Sequence, residues 1–370
     1  MLLTDYTFRM VALGSSLLGL VSGLLGSFAF LRRQSLLGDA VSHAALPGIA
    51  LAYLLTRDKS PLILLIGAAM AGWLASYLVT HIASHSRVKY DAALGLVLSV
   101  FFGIGLMVLS FLQKQPDSGQ AGLDRFLFGQ ASAMSADDIT TISIIGGLSV
   151  IALLLLWKEI KIFIFDEGFA GVIGYSANKI DKILTSLIVV AVVVGLQIAG
   201  VVLMSAMLVA PAAAARQWTN GLKPMVLLAG FLGMLSGLAG STVSGLVPRL
   251  PTGPAIVICL SFAVAVSLLF APGRGLVWNL FARWRNRQSL RRETILIDLL
   301  EMARGHDSIE HGHSLAVLKL MYPEIRGLRG LLADLEKEGY VVKKGSSEWA
   351  LTPAGAEKAA AFAERIEAKQ

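Results

Sequence analysis

The sequence predicts an all-α polytopic membrane protein of about 8–9 transmembrane helices, followed by a small α+β domain. Three observations predict it. The 370-residue chain is 55% hydrophobic with a mean hydropathy of +0.69 and only 15% charged residues, where water-soluble chains carry about 25% charged residues. Charge is also unevenly placed: residues 1–272 hold 16 Lys and Arg against 12 Asp and Glu, and the remaining 98 residues hold 16 against 13. Apolar runs of roughly 20 residues, enough to cross a hydrocarbon core about 30 Å thick, recur through the first part only. A single soluble domain, a disordered chain and a disulfide scaffold are excluded, the last because Cys259 is the only cysteine. The two parts carry net charges of +4 and +3, giving +7 for the chain.

The apolar runs fall near residues 10–31, 36–56, 61–81, 92–112, 139–157, 183–197, 199–215, 225–247 and 255–272. The first is a span rather than a cleaved leader, because Arg32 and Arg33 follow it in place of a small-residue cleavage site. The stretch 183–215 is too long for one ordinary span and too short for two full ones. Gly195 and Gly200 offer a turn, so two shortened helices are expected there. With about nine spans and the C-terminal tail inside, the inner loops hold Arg32, Arg33, Arg87, Lys89, Lys158, Lys161, Lys179, Lys182, Arg216 and Lys223. The outer side holds Arg9, Arg57, Lys59, Lys114, Arg125 and Arg249, so the positive-inside bias is modest. Six arginines from Arg274 to Arg292, with no acid among them, place the last span's exit at the anionic cytoplasmic face.

Small residues recur at three-to-four-residue spacing, as Gly14, Gly19, Gly23 and Gly26 in the first span and Gly230, Gly233, Gly237 and Gly240 in the eighth. Such faces let helices approach closely, which argues for a compact bundle over a lone anchor. Ionisable side chains inside spans cost at least about 2.5–3.5 kcal/mol each, so each one is a functional hypothesis. The strongest constellation is the run from Gly38 to Gly48, GDAVSHAALPG. Asp39 and His43 are four apart and share one helix face. A carboxylate oxygen and an imidazole nitrogen at that spacing can hold one borderline divalent ion, or each other as an ion pair or structural clamp. Pro47 loosens the helix just beyond them. Gln197, Met204, Ser205 and Met207 offer further donors, or core packing. His81 and His85 repeat the spacing beside Arg87 and Lys89 and read as interfacial polar residues, and Cys259 as a small buried hydrophobe.

The run GDAVSHAALPG resembles the signature of ABC-type permeases for manganese, zinc and iron. Residues 90–105 (YDAALGLVLSVFFGIG), 123–129 (LDRFLFG), 165–174 (FDEGFAGVIG) and 197–215 (QIAGVVLMSAMLVAPAAAA) are similar to further segments of that family, in order, so the resemblance covers about residues 8–275. It implies an all-helical permease that works with a second permease copy or a paralogue. It also implies a cytoplasmic ATP-binding subunit, an extracytoplasmic metal-binding protein, and a place in the bacterial plasma membrane. The resemblance places Asp39 and His43 where the family coordinates its transported ion (manganese, zinc or iron). No permanently bound cofactor is implied. Asp166, Glu167, Phe169, Gly171 and Gly174 match the segment that docks into the ATPase. Residues 247–253 match only partly, which puts any ligand just upstream in doubt. No Gly-x-x-x-x-Gly-Lys-Ser/Thr run exists in the chain, so ATP hydrolysis is expected on a partner and this chain is expected not to be an enzyme.

Domain limits of 1–273 for the membrane part, 274–290 for a basic juxtamembrane linker and 291–370 for a cytoplasmic domain follow from the charge pattern. In the last, Ile295, Leu296, Leu299 and Leu300 form a helical stripe, and a second helix runs near 314–321. A third opens at Pro323, carries Leu328, Leu331, Leu332 and Leu335, and stops at Gly339. Residues 340–344 and 348–351 read as a β-hairpin, and Thr352 caps a closing helix with Pro353 at its first position. This order predicts a winged-helix domain, and residues 332–360 are similar to iron-dependent metalloregulators, above all at 351–355 (LTPAG). Arg326 and Arg329, with Lys343 and Lys344 at the wing, could face DNA. A net +3 over the tail is weak for that, so nucleic acid is not the expected partner and protein-interaction or regulation is. His306, His311 and His313, with Asp307 and Glu310, could sense cytoplasmic metal or form a solvated polar loop. The whole chain then reads as the permease subunit of an ATP-driven metal importer. The alternative is a membrane-anchored metal sensor signalling through its winged-helix tail, and deleting residues 290–370 separates them: a permease still moves metal.

Overall fold

The computed structural model describes residues 5–58, 60–114, 134–247, 249–305, 311–322, 328–345 and 347–367. The chain forms two compact units, Met1–Leu276 and Val277–Gln370. The first is built of helices: α1 (Tyr6–Leu31), α2 (Leu37–Thr56), α3 (Pro61–His85), α4 (Tyr90–Gln113), α5 (Ala136–Leu155), α6 (Trp157–Phe165), α7 (Glu167–Val172), α8 (Ala177–Trp218), α9 (Leu222–Leu246) and α10 (Thr252–Phe270). Among the described residues, eight helices are long and apolar enough to cross a membrane. The chain is therefore a multi-pass membrane protein.

About 8–9 spans are expected, and the eight fall in that range. The apolar runs at 183–197 and 199–215 form two helical halves of α8, which is continuous through Gly195 and kinks at Gly200 (φ 74, ψ 171). That conformation is open essentially to glycine alone. Only the second half, Ala199–Trp218, is among the eight spans.

Helix ends follow local chemistry. Asp5 accepts from the Thr7 amide to start α1 (2.9 Å), and Ser135 and Asp138 form a reciprocal capping box on α5. The end of α1 is a Schellman turn: the Arg33 amide donates to the Phe30 carbonyl (3.0 Å) and the Gln34 amide to the Ala29 carbonyl (2.9 Å). Arg33 occupies its left-handed position (φ 58), where glycine is usual and another residue costs about 1–3 kcal/mol.

Packing is tightest where side chains vanish. A Cβ on Gly19 or on Gly233 would come within 2.2 Å of the other residue's carbonyl oxygen, so α1 and α9 touch backbone to backbone. The Ser15 hydroxyl crosses the same interface to the Gly237 carbonyl (3.1 Å). Gly48 and Gly67 bring α2 and α3 together in the same way, at 2.2 and 2.5 Å. Around these contacts the main core gathers from α1 to α6 and α8 to α10, with Phe28, Leu37, Val41, Ile188, Met204 and Leu208 among its buried members. Cys259, expected to be buried, is only half-buried.

The second unit contains most of α11 (Leu276–Arg304), β1 (His313–Ser314), α12 (Leu315–Met321), α13 (Leu328–Lys337), β2 (Val341–Lys344), β3 (Glu348–Leu351) and α14 (Pro353–Glu367). The arginine-rich stretch assigned to a linker is thus part of one helix. The three strands are antiparallel in the order β1-β3-β2. The hairpin is where the alternation predicts it, whereas β1 is an addition: two residues are too few to show a period. Ile295, Leu296, Leu299, Leu318, Leu332, Leu335, Val341 and Trp349 close the core of this unit. Thr352 accepts from the Gly355 amide (3.1 Å) and donates to the Gly339 carbonyl (2.7 Å), fixing α14 to the turn after α13. Pro323 and Arg326 lie outside the described residues.

Candidate metal site

The first turns of α2 carry the polar pair. Asp39 lies in the opening turn, where a negative charge suits the helix dipole, and His43 follows one turn later. His43 Nε2 and Asp39 Oδ1 stand 3.6 Å apart, beyond ordinary hydrogen-bonding range. Both side chains keep some exposure, 25% for His43 and 37% for Asp39. The imidazole stacks edge-on against Phe102 of α4, with ring centroids 4.9 Å apart, and its buried Nδ1 has no hydrogen-bond partner. Two potential ligand atoms therefore share one face of α2, held on one side by an aromatic ring.

Ser42, between them, was not singled out by sequence. It is 1% exposed and its hydroxyl has no partner. Other hydroxyls within these helices return to their own backbone: Ser27 to the Gly23 carbonyl (2.8 Å), Thr80 to Ser76 (3.0 Å) and Ser149 to Ile145 (2.8 Å). A serine does not announce from sequence whether it will do so. Ser42 adds a third oxygen or nitrogen donor to the same segment of chain.

Of the expected supplementary donors from α8, the two methionines lie in the core. Met204 and Met207 are 0% and 1% exposed and belong to the main core, where the Met204 sulfur lies 4.0 Å from the Ser22 hydroxyl. Ser205 is partly buried, and the side chain of Gln197 lies outside the described residues. No group of three or more His, Cys, Asp or Glu side chains is placed to hold a metal among the described residues. The rings of His81 and His85 lie tilted against one another (centroids 4.3 Å apart) in an aromatic file with Trp73 and Tyr77 along α3. Of the tail cluster, His306, Asp307 and Glu310 lie outside the described residues. His313, expected in a loop, sits in β1 paired with Trp349 and is 8% exposed, its ring edge-on to His311.

Residues 157–174 form a second, separate feature. Asp166 ends α6 and caps α7, its carboxylate accepting from the Phe169 amide (2.8 Å). Ala170 is buried under this short helix, while Phe165, Phe169, Val172 and Ile173 are exposed at 64%, 53%, 86% and 47%. Glu167 opens α7, Gly171 has open space around it, and Gly174 turns the chain at φ 87. Of the matched residues, Asp166 and Gly174 shape the segment and Phe169 presents its apolar surface. The segment 123–129 lies outside the described residues.

Sequence reasoning also missed a buried charge beside this segment. Arg32, in the turn between α1 and α2, pairs with Asp181 of α8, and the two side chains are only 12% and 18% exposed. Its guanidinium lies over the Phe163 ring of α6, 5.4 Å from the centroid. Burial pushes its pKa below the ordinary value, with Tyr90 and Glu167 acting in the opposite direction; an arginine so placed stays protonated. Its partner is 149 positions away, a separation no local spacing rule can bridge.

Residues 4–271 match the model of the ABC 3 transport family. The zinc transport system membrane protein TroC of Treponema pallidum is 48% identical over 287 residues, 78% of this chain and 95% of that protein. The manganese transport system membrane protein MntC of Bacillus subtilis is 39% identical over 348 residues, 94% of this chain and 80% of the relative. That match is too long to be confined to the first unit. Among solved structures, PsaBC from Streptococcus pneumoniae in complex with Fab is similar with a TM-score of 0.65 at 30% identity, covering 74% of this chain and 95% of the other. A matched family over almost the whole first unit, with relatives that are membrane proteins of metal transport systems, leaves one conclusion: the chain belongs to the ABC 3 transport family, and its role is transport rather than enzyme catalysis.

Proposed function

We propose that this chain is the permease subunit of an ATP-binding-cassette importer for a divalent transition metal ion, manganese, zinc or iron. Asp39 and His43 coordinate the ion in transit. The observation that carries the reading is their shared face of α2, at 3.6 Å, within a chain whose relatives are metal transport proteins. A carboxylate and an imidazole suit a borderline ion. Two protein ligands hold it loosely enough to be passed on, and the neighbouring Ser42 hydroxyl or water completes the shell.

ATP is hydrolysed by a separate cytoplasmic subunit, which docks on residues 165–174, where Phe165, Phe169, Val172 and Ile173 offer an apolar surface. A binding protein outside the plasma membrane supplies the metal, and a second permease copy or paralogue completes the pathway. The region after 290 is a cytoplasmic winged-helix domain with a regulatory or protein-interaction role. The order of its helices, hairpin and capped closing helix among the described residues supports that reading.

Metal uptake by cells carrying the complex tests this. Replacing both Asp39 and His43 with alanine should cut uptake of whichever of the three metals the wild type imports at least tenfold while the permease still co-purifies with its ATPase. Unchanged uptake overturns the site.

A further inference from the structure

We infer that Arg32 is the positioning residue through which movement of the ATPase-docking segment reaches the metal-binding stretch of α2; this rests on the function proposed above. A buried arginine in a membrane protein needs a reason, and Arg32 has more connections than a structural clamp requires. One nitrogen of its guanidinium pairs with Asp181 at the start of α8. Its face lies on Phe163 of α6. Glu167, at the start of α7, acts on it electrostatically. Its own backbone is the junction between α1 and α2, and α2 begins at Leu37, two residues before Asp39. Arg32 therefore touches α8 and α6, the helix that leads into the docking segment, and lies in the turn that leads into α2 and its polar pair.

The pairing is also incomplete in a way that permits exchange. The second terminal nitrogen, Nη1, is buried and donates to nothing. Glu159, one helical turn before Phe163 on the same face of α6, has a buried carboxylate oxygen that accepts from nothing. A guanidinium is a fork with five donors, so it can hold one carboxylate while gaining another. A displacement of α6 and α7 by the ATPase changes the acidic groups around Arg32, and the guanidinium carries that change to the turn that sets the entrance of α2.

The test uses the complete complex of permease, ATPase and binding protein in proteoliposomes, with Mn²⁺ and Zn²⁺ as probes, and reads metal moved per ATP hydrolysed. The double variant Arg32→Gln/Asp181→Asn replaces the ion pair by a neutral amide pair, so it avoids burying a lone charge. It should assemble, bind metal as the wild type does and hydrolyse ATP, while metal moved per ATP falls at least tenfold. Arg32→Lys, which keeps the charge but not the fork, should recover only part of that loss. A ratio within twofold of wild type overturns the inference, as does an equal fall in hydrolysis and transport, because a merely structural defect leaves the ratio alone. Where the double variant fails to assemble, Phe163→Leu decides, since it removes the ring and leaves the ion pair: a threefold or greater fall in the ratio supports the inference and no change overturns it. A wild-type complex that hydrolyses ATP but moves no metal would overturn the permease reading itself. A wild type that transports beside variants with an unaltered ratio overturns the role of Arg32 alone.

Discussion

The two units solve the same packing problem with opposite materials. The second unit is held by large aliphatic and aromatic side chains, Leu299, Leu332, Leu335 and Trp349 among them, as water-driven burial requires. The membrane unit has close backbone-to-backbone helix contacts, as at Gly19 with Gly233 and at Gly48 with Gly67, because lipid supplies no hydrophobic drive between helices and contact must come from close approach. In the water-facing unit hydrophobicity marks the core. In the membrane unit it marks nearly everything, so information moves to the residues that break the rule: glycines that let backbones meet, and polar side chains such as Asp39, His43 and Arg32.

That contrast can be attacked at its strongest point first. Gly233→Leu would drive a branched side chain into the Gly19 carbonyl. It should abolish recovery of monodisperse protein in detergent, and a normal size-exclusion profile would show that the close contact is dispensable. Next in size, Leu332→Ala in the full chain empties a site that is 0% exposed and should cost the second unit about 2–5 kcal/mol. Hydrogen exchange should speed up in peptides after 290 and stay unchanged in those before 276; spread into the membrane helices would mean that the two cores are not independent.

The smallest effect concerns Asp298, whose carboxyl is pushed above its usual range by burial first and by Glu301 second. The folded unit therefore binds that proton more tightly than the unfolded chain. The associated stability is full below the ordinary carboxylate range and is lost as pH rises through the raised value. Asp298→Asn should raise the midpoint of thermal unfolding of this unit at neutral pH by a small amount, and the gain should vanish at acid pH. A gain that is the same at both pH values would point to side-chain shape instead of charge.

Much of this architecture was legible because it is local. Span length, the hairpin at 341–351 and the Thr352 cap all follow from residues within a few positions of one another. So does the Asp39 and His43 pair, which needs only the helical repeat. The failures are those of long range or small size. Gly195 and Gly200 look equivalent in sequence, and only packing selects Gly200 as the break in α8; Gly195 instead lies against the Met204 sulfur. The strand β1 is two residues long and exists because β3 offers it an edge. The pairing of Arg32 with Asp181 requires the whole bundle to be assembled first, and the idle hydroxyl of Ser42 depends on a rotamer that no spacing encodes.

The glycine contacts also divide the molecule mechanically. Where backbone meets backbone there is no rotamer to rearrange, so α1 and α9 can shift only together, and α2 is tied to α3 at Gly48 in the same manner. Just before the end of α1, Gly26 is held as closely against the Leu208 carbonyl of α8. Between those two clamps, from Gly26 to Gly48, runs one length of chain that carries the left-handed turn at Arg33, the buried Arg32, and then Asp39, Ser42 and His43. Arg32 ties this stretch to α8 through Asp181 and to α6 through Phe163, so a force applied there is shared between those helices and the stretch that carries Asp39 and His43.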